Sequence, residues 1–299
     1  MPASEPLRAV PRGLTNRGSD KLLQRQGTTT RASIGGYFQL RLPAPYSVPP
    51  VSVTDFLTKP SDYNPLVPTN VDLICGDPIL ELQANAINTL ANTQIPGTNT
   101  WIAVISWMSD LLAPVKDAYD VVFVDCNPSF SIYTQIALST VDRIVLPVMA
   151  DDSSRRAVQN ALSLIYGLSL PSDIYTAYAF SSKLTQASRA LPKVHMIAKN
   201  RITQYMGPAS AYAAVLTAIE RDIDALLKTH PGLFTFTKCD DGTVEIRDFQ
   251  TTGVVAFAKG APFSKLVAGK QNIGGHRVQV KEDYRRDCLK AIDQLVAKL

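Results

Sequence analysis

The sequence predicts an α/β fold with a mainly parallel sheet and helices on both faces. Short apolar runs rich in β-branched residues, Val121–Val124, Ile144–Val148 and Val194–Ala198, have the composition of strands buried on both sides. Longer segments with apolar residues at 3.6-residue spacing separate these runs. Strands that alternate with helices favour a parallel sheet covered by helices.

The ordered elements are predicted to start near residue 51. We expect helices over residues 52–57, from 78 to about 90, and over 100–115, 130–140, 153–167, 209–228 and 281–298. We expect strands over residues 71–75, 120–125, 143–149, 194–198 and 254–257, and a hairpin over 234–247 around an Asp-Asp-Gly turn. Residues 1–50 are rich in Pro, Arg, Ser and Thr, so we predict an irregular basic segment over 1–50 and one α/β domain over 51–299.

Composition narrows the class of protein. The chain has 299 residues with 45% hydrophobic and 19% charged residues, which suits one sizeable core. Apolar stretches do not reach the roughly 18 residues of a membrane span, and the amino terminus lacks a secretion-signal pattern. The four cysteines are widely spaced, which favours reduced thiols over a disulfide framework. We therefore expect a cytoplasmic protein.

Basic residues are concentrated at the two ends of the sequence. Residues 1–41 hold seven Lys and Arg against two acidic residues, and residues 245–299 hold ten against six. Basic ends of this kind attract polyanions such as DNA. An ordinary solvated surface is the alternative interpretation.

Five segments, in order, resemble the ParA/MinD group of partition ATPases. Residues 71–77 resemble the strand "NLDLIPS" of that family, and residues 119–129 resemble "YDYIIIDCPPS". Residues 142–148 resemble "ADEVIIPV", Lys199-Asn200-Arg201 resembles the position beside the adenine, and Arg247–Lys265 resembles "IPRNVRLAEAPSFGKPI". The resemblance covers about residues 52–299 and implies a P-loop NTPase-like fold of ParA type.

The resemblance implies an ATPase that partitions plasmids or chromosomes. Such a protein binds ATP and Mg²⁺, forms a homodimer, binds DNA without sequence preference near the nucleoid, and hydrolyses ATP when a ParB-type partner stimulates it. A ParA-like interaction protein or fragment without catalysis is a second possibility. A MinD-like ATPase on a membrane surface is a third, for which the apolar stripe of the helix 281–298 would have to bind lipid rather than pack on the sheet.

The same resemblance assigns roles to individual residues. Asp125 would orient a water on Mg²⁺ and act as the catalytic residue, with Thr28 as a second metal-binding residue. The residues implied in nucleotide binding are Gly27, Thr28, Thr29, Asn127, Pro128, Asn200 and Arg201. The candidates for DNA phosphate contacts are Arg247, Lys259, Lys265, Lys270 and Arg277.

One departure from the family concerns the phosphate loop. The chain has no KGGxGK[ST] motif, and Gly27-Thr28-Thr29-Thr30 is the nearest remnant, without its lysine. Two explanations fit: a frameshift or misassigned start has altered residues 1–50, or the protein is a variant without a competent phosphate site. In either case the sequence as written predicts weak ATP binding, since each lost charge-assisted hydrogen bond is worth about 1.5–3 kcal/mol.

Overall fold

The structure, a computed structural model, describes residues 31–126, 129–202 and 211–299. These residues form two compact units. The first unit contains the described residues up to Thr140 together with Gly253–Gln279. The second contains the described residues of Val141–Thr252 together with Val280–Leu299. The sequence had predicted one domain from residue 51 onward.

Helices account for most of the regular structure in the described residues. They are α1 (Ile34–Arg41), α2 (Ile79–Asn92), α3 (Thr100–Ile105), α4 (Trp107–Leu112), α5 (Ile132–Thr140), α6 (Asp152–Tyr166), α7 (Phe180–Gln186), α8 (Ala211–Thr229), α9 (Cys239–Gly242), α10 (Gln250–Lys259) and α11 (Glu282–Val296). The strands are β1 (Leu57–Thr58), β2 (Leu73–Ile74), β3 (Arg143–Val148), β4 (Lys193–Ile202), β5 (Thr243–Arg247), β6 (Gly269–Ile273) and β7 (His276–Val280). Short 3₁₀ helices occupy Val53–Asp55, Pro60–Asp62, Ala113–Ala118, Asp173–Tyr178, Pro231–Leu233 and Phe263–Lys265.

The first unit is organised around buried aromatic rings on α1. Tyr37 packs edge-on against Phe56 with the ring centroids 5.5 Å apart, and Phe38 meets Trp107 at the same distance. Arg41, on the same helix, is buried and lies over the Trp107 ring at 5.3 Å. These contacts fix α1 inside the unit, so the prediction of an irregular segment is wrong for residues 34–41.

The second unit contains a parallel sheet with the strand order β3-β4-β5. The central strand β4 is the most buried, and alternate residues of β4 face opposite sides. Met196 and Ala198 point toward α11, where Leu295 packs against them. Lys199 points to the other side and forms an ion pair with Glu220 of α8. Helices therefore cover both faces of the parallel sheet, and the predicted α/β class is confirmed.

The carboxyl-terminal helix α11 packs on the sheet through its apolar stripe. Leu295 and Leu299 contact the buried cluster of β4 and β5, and Cys288 is buried. This packing confirms the expectation that the stripe belongs to the core. Among the described residues, the helices are all too short or too polar to cross a lipid bilayer.

Several predicted elements are wrong. Residues 254–257 lie in the helix α10 instead of a strand. The segment 234–247 is not a hairpin, because Cys239–Gly242 forms a helical turn and β5 pairs in parallel with β4. The helix expected over 100–115 is broken at Ser106 into α3 and α4. The strand expected at 71–75 is present, but it is a two-residue strand antiparallel to β1.

Candidate functional site

Asp125, the predicted catalytic residue, does not lie at the end of a strand. Residues 121–126 have no regular secondary structure, so the predicted strand 120–125 is wrong. Val121, Val122 and Phe123 are 56%, 46% and 69% exposed, and Asp125 is exposed as well. An apolar run becomes a strand only where a neighbouring strand takes up its N–H and C=O groups. The role of Asp125 in catalysis and Mg²⁺ binding remains a prediction.

The remaining residues assigned to the phosphates by resemblance cannot be placed. Gly27, Thr28 and Thr29 lie outside the described residues, as do Asn127 and Pro128. Thr28 as a Mg²⁺-binding residue therefore also stays a prediction. Within the described residues, His, Cys, Asp and Glu side chains do not gather in groups of three or more that could hold a metal ion.

The helix α1 follows the phosphate-loop remnant, and a carboxylate of the chain itself lies at its amino-terminal end. Ser33 caps the helix by accepting a hydrogen bond from the Gly36 backbone N–H at 3.0 Å. The Ser33 hydroxyl donates to Asp77 Oδ2 at 2.6 Å, and Arg31 Nε donates to the same oxygen at 2.6 Å. The other oxygen, Asp77 Oδ1, accepts from the Ile79 N–H at 3.1 Å and so caps the start of α2.

Close packing holds this carboxylate in place. A Cβ atom at Gly35 would lie 2.7 Å from Asp77 Cβ, a separation too short for any residue but glycine. The Asp77 side chain has no exposed surface. Carboxylates are favourable at helix amino termini, where the first N–H groups and the helix dipole attract negative charge. The Asp77 carboxylate therefore already supplies the negative charge at the amino terminus of α1, and this disfavours the binding of a phosphate there.

A second candidate site lies in the other unit, where the parallel strands β4 and β5 end. Ligands of open α/β sheets bind outside the carboxyl ends of the strands. Asn200 Oδ1 accepts from the Arg201 N–H at 2.9 Å near the end of β4. The Asp248 N–H donates to the Ile202 carbonyl at 3.0 Å and joins the two strand ends. Asn200 and Arg201, assigned to adenine by resemblance, thus lie at the end of the strand that borders this site.

Two residues at these strand ends have a strained backbone. Arg201 has φ 58° and Gln250 has φ 44°, in the left-handed region that residues with a Cβ rarely adopt. Such conformations cost on the order of 1–3 kcal/mol and occur preferentially at functional sites. The Gln250 N–H is held by Asp248 Oδ1 at 2.9 Å. Strain at two adjacent strand ends points to this edge of the sheet as a binding site.

A shallow crevice opens between these strand ends and α11. Its empty space is about 390 Å³, including the part open to solvent. The lining residues are Ile202, Arg247, Asp248, Phe249, Gln250, Tyr284, Asp287 and Cys288. Its lining combines apolar and aromatic side chains with a few polar groups, which is the composition typical of small-molecule sites.

Aromatic and charged side chains form the walls of the crevice. Tyr284 is 38% exposed, and Lys281 Nζ lies 6.0 Å from the centre of its ring. Arg247 Nη1 forms an ion pair with Asp287 Oδ2 at 2.6 Å across the opening. Burial raises the pKa of the Cys288 thiol, and the Asp287 carboxylate raises it further. Both effects favour the protonated thiol at neutral pH.

Three residues of these sites, Phe249, Tyr284 and Asp77, have no role predicted from the sequence. Tyr284 was noticed only as part of the apolar stripe of the last helix. Its position at the start of that stripe, three residues after Lys281, is the available signal for an exposed ring. Asp77 could have been noticed as an acidic residue just before a Pro that starts a helix.

The predicted DNA-binding residues divide between the two units. Arg247 lies in the second unit and is paired with Asp287. Lys259, Lys265, Lys270 and Arg277 lie in the first unit, within Gly253–Gln279. Lys259 donates a hydrogen bond to the Gln271 side chain, whereas the other three side chains are exposed. Their contact with DNA remains a prediction.

Comparisons with known proteins support part of the family resemblance. Residues 52–170 match the family model AAA_31, described as an AAA domain. The structure is also similar to one titled "Structure of Cyanthece apo McdA", with a TM-score of 0.48 and 12% sequence identity, over 89% of this chain and 84% of that chain. No curated protein matches the chain. Asp77 and Asp125 both lie within the segment that matches the family model.

Proposed function

We propose that this protein is a ParA-like ATPase that partitions plasmid or chromosomal DNA. The proposal rests on the crevice at the carboxyl ends of β4 and β5, the position where parallel sheets bind nucleotides. The match of residues 52–170 to an AAA domain supports it. In this function ATP and Mg²⁺ bind to each subunit of a homodimer, the dimer binds DNA in the cytoplasm, and a ParB-type partner stimulates hydrolysis.

The crevice supplies the contacts that an adenine base needs. Tyr284 offers an exposed ring face, and stacking of a base on an aromatic ring is worth about 1–3 kcal/mol. Phe249 packs on the buried cluster of β4 and β5 and so forms a rigid wall. Asn200, near the end of β4 and outside the lining of the crevice, accepts a hydrogen bond from the Arg201 N–H through its side-chain oxygen. Positioning of this kind is the main contribution that a phosphoryl-transfer protein makes.

A ParA-like protein that binds partners without hydrolysing ATP is the second candidate. The observation that favours it is the buried Asp77 carboxylate at the amino terminus of α1, directly after the phosphate-loop remnant. Asp77, paired with Arg31 and Ser33, already occupies the helix end where a phosphate would accept hydrogen bonds. The missing lysine of the loop has the same effect on affinity.

Calorimetric titration of the full chain with Mg–ATP tests the proposal. We expect saturable heat from the wild type and an affinity about 5- to 150-fold weaker for Tyr284→Ala, because the stacking contact is lost. Tyr175→Ala is the matched control, since Tyr175 is an exposed tyrosine that does not line the crevice. Absence of heat from the wild type would refute nucleotide binding, and equal affinity of Tyr284→Ala would refute the crevice as the base site.

Phosphate release separates the two candidates. An ATPase shows Mg²⁺-dependent release of phosphate that Asp125→Ala abolishes. A binding protein shows the same calorimetric isotherm with no phosphate above the buffer blank. The second result would exclude the enzyme and leave the crevice assignment intact.

A further inference from the structure

The strands β6 and β7 form a separate two-stranded sheet in the first unit. They are joined by Gly274 and Gly275, which have φ 57° and 86°. Two positive φ values in a two-residue loop are typical of a type I′ turn, whose twist matches that of a hairpin. We call β6, the turn and β7 the ribbon.

The two faces of the ribbon differ in exposure and chemistry. Successive residues of a strand alternate between faces, and residues opposite one another on the two strands share a face. The two-residue turn sets Asn272 opposite Arg277 and Lys270 opposite Gln279. These four residues are all exposed, whereas Gln271, Ile273 and Val278 are half-buried and Val280 is buried.

The inner face ties the ribbon to the rest of the unit. Gln271 accepts a hydrogen bond from Lys259 at the end of α10 and donates to the Val267 carbonyl at 2.8 Å. The Gly260 carbonyl, just after α10, accepts from Asn64 Nδ2 at 3.0 Å. Lys259 is therefore engaged within the protein, and the ribbon is held on a fixed base.

The charge around the ribbon is of one sign. Gly253–Gln279 contains four Lys and Arg residues and no acidic residue. Lys265, Lys270 and Arg277 are exposed and form no ion pair with any residue in the described part of the chain. Exposed basic side chains without an ion-pair partner in the described residues attract phosphates.

The outer face carries the residue types that read base pairs. Arg and Lys make specific hydrogen bonds to guanine, and Asn and Gln make them to adenine in the major groove. Strands of five residues extend about 17 Å, and a two-stranded ribbon fits a B-DNA major groove about 12 Å wide. The deep, narrow major groove of an RNA duplex does not admit such a ribbon.

We propose that the outer face of the ribbon, with Lys270, Asn272, Arg277 and Gln279, enters the major groove of duplex DNA and contacts base edges. The inference rests on the proposed DNA binding and adds sequence preference to it, since contacts with base edges make the affinity depend on the base sequence. Lys265, outside the ribbon, adds a phosphate contact without sequence information.

Selection from a pool of randomised 20-base-pair DNA duplexes tests this proposal with the full chain and Mg–ATP. We expect the wild type to enrich a preferred sequence. Asn272→Ala and Arg277→Ala each weaken binding to that sequence about 5- to 150-fold and relax its base preference. Lys265→Ala, the matched control, weakens binding to all duplexes equally and lowers the salt dependence by about one counterion. Circular dichroism melting and Mg–ATP calorimetry show that each variant is folded.

Each other outcome would overturn the ribbon assignment. Duplex binding without enrichment of a sequence, or variants that enrich the wild-type sequence, would refute base contacts by the ribbon. Equal or tighter binding to a 20-base-pair RNA duplex or to phosphatidylserine vesicles would assign the basic surface to those ligands instead. No DNA binding at all would refute the ribbon, while calorimetry with Mg–ATP reports on the nucleotide site independently.

Discussion

Replacing Asp77 with Asn should destabilise the first unit strongly, because one carboxylate joins the starts of α1 and α2. The Asn side chain has nearly the same shape but only one acceptor oxygen. In the wild type Asp77 accepts three hydrogen bonds, from Ser33, Arg31 and Ile79. With the single oxygen turned toward Ser33 and Arg31, the amide NH₂ faces the Ile79 N–H, and one helix cap is lost.

The expected loss in the free energy of unfolding is the sum of the effects on these three hydrogen bonds. The lost cap costs about 1 kcal/mol. The hydrogen bond from Ser33 changes from charge-assisted to neutral, which costs roughly 1 kcal/mol. The ion pair with Arg31 contributes about 1 kcal/mol or less, since the Arg31 side chain is 32% exposed and water replaces part of the interaction. We therefore expect Asp77→Asn to lower the free energy of unfolding by about 2–3 kcal/mol, which corresponds to a fall in Tm on the order of 4–12 °C.

Urea unfolding followed by tryptophan fluorescence measures the loss in the free energy of unfolding of the first unit. The two tryptophans, Trp101 and Trp107, are buried in the first unit and report on it directly. Asp117→Asn is the control, because Asp117 is exposed and should change stability by less than about 0.5 kcal/mol. A loss below 0.5 kcal/mol for Asp77→Asn, or no coupling with Arg31→Gln in a double-mutant cycle, would refute the assigned network.

Three further variants test packing and charge elsewhere. Trp107→Ala should lower the free energy of unfolding by about 3–5 kcal/mol in urea, because the ring is fully buried; a loss under 1 kcal/mol would contradict that packing. Glu220→Gln should destabilise more than Lys199→Met in urea followed by circular dichroism, since it leaves the buried ammonium to the more distant and exposed Glu245 carboxylate at 3.6 Å; the reverse order would contradict the pairing. The hydrogen bond from Arg285 lowers the pKa of Glu282 below its ordinary 4.5, so its stabilisation is present above pH 4.5 and lost as the pH falls through the lowered pKa. The melting difference between wild type and Glu282→Gln should therefore vanish in acid, and a constant difference from pH 7 to pH 3 would contradict it.

The sequence predicted those helices and strands whose hydrophobic periodicity and capping residues match the structure that they adopt. The helices α5, α6 and α11 and the strands β3 and β4 lie close to their expected positions. Asp151 caps α6 by accepting from the Ser154 N–H at 2.6 Å. Hydrophobic periodicity and capping residues are local properties, so the sequence carries them directly.

Elements that depend on a distant partner could not be predicted in the same way. Val121–Val124 has the composition of a buried strand, but its state depends on pairing with another strand, which a single run does not specify. Residues 254–257 form part of a helix, since a short apolar run fits either structure. The true hairpin at Gly274-Gly275 carried a Gly-Gly turn signal, which the sequence analysis did not use.

The binding crevice could be foreseen only in part. The resemblance points to Asn200 and Arg201, which lie near the end of β4 and do not line the crevice themselves. Phe249 and Tyr284 could not be identified, since they come from a strand end and a helix that are distant in sequence. Contacts between such distant residues are decided by tertiary packing.

The parallel arrangement of β3, β4 and β5 has a consequence for how the second unit forms during synthesis. Arg143 pairs with Lys193, and Ile197 pairs with Thr243, so each pairing must wait until a long connecting stretch has left the ribosome. Leu295 and Leu299, which cover one side of this sheet, are made later still. A nascent chain that pauses before α11 is synthesised leaves the apolar side of this sheet exposed to solvent. We expect chaperones to bind that surface until α11 packs on it.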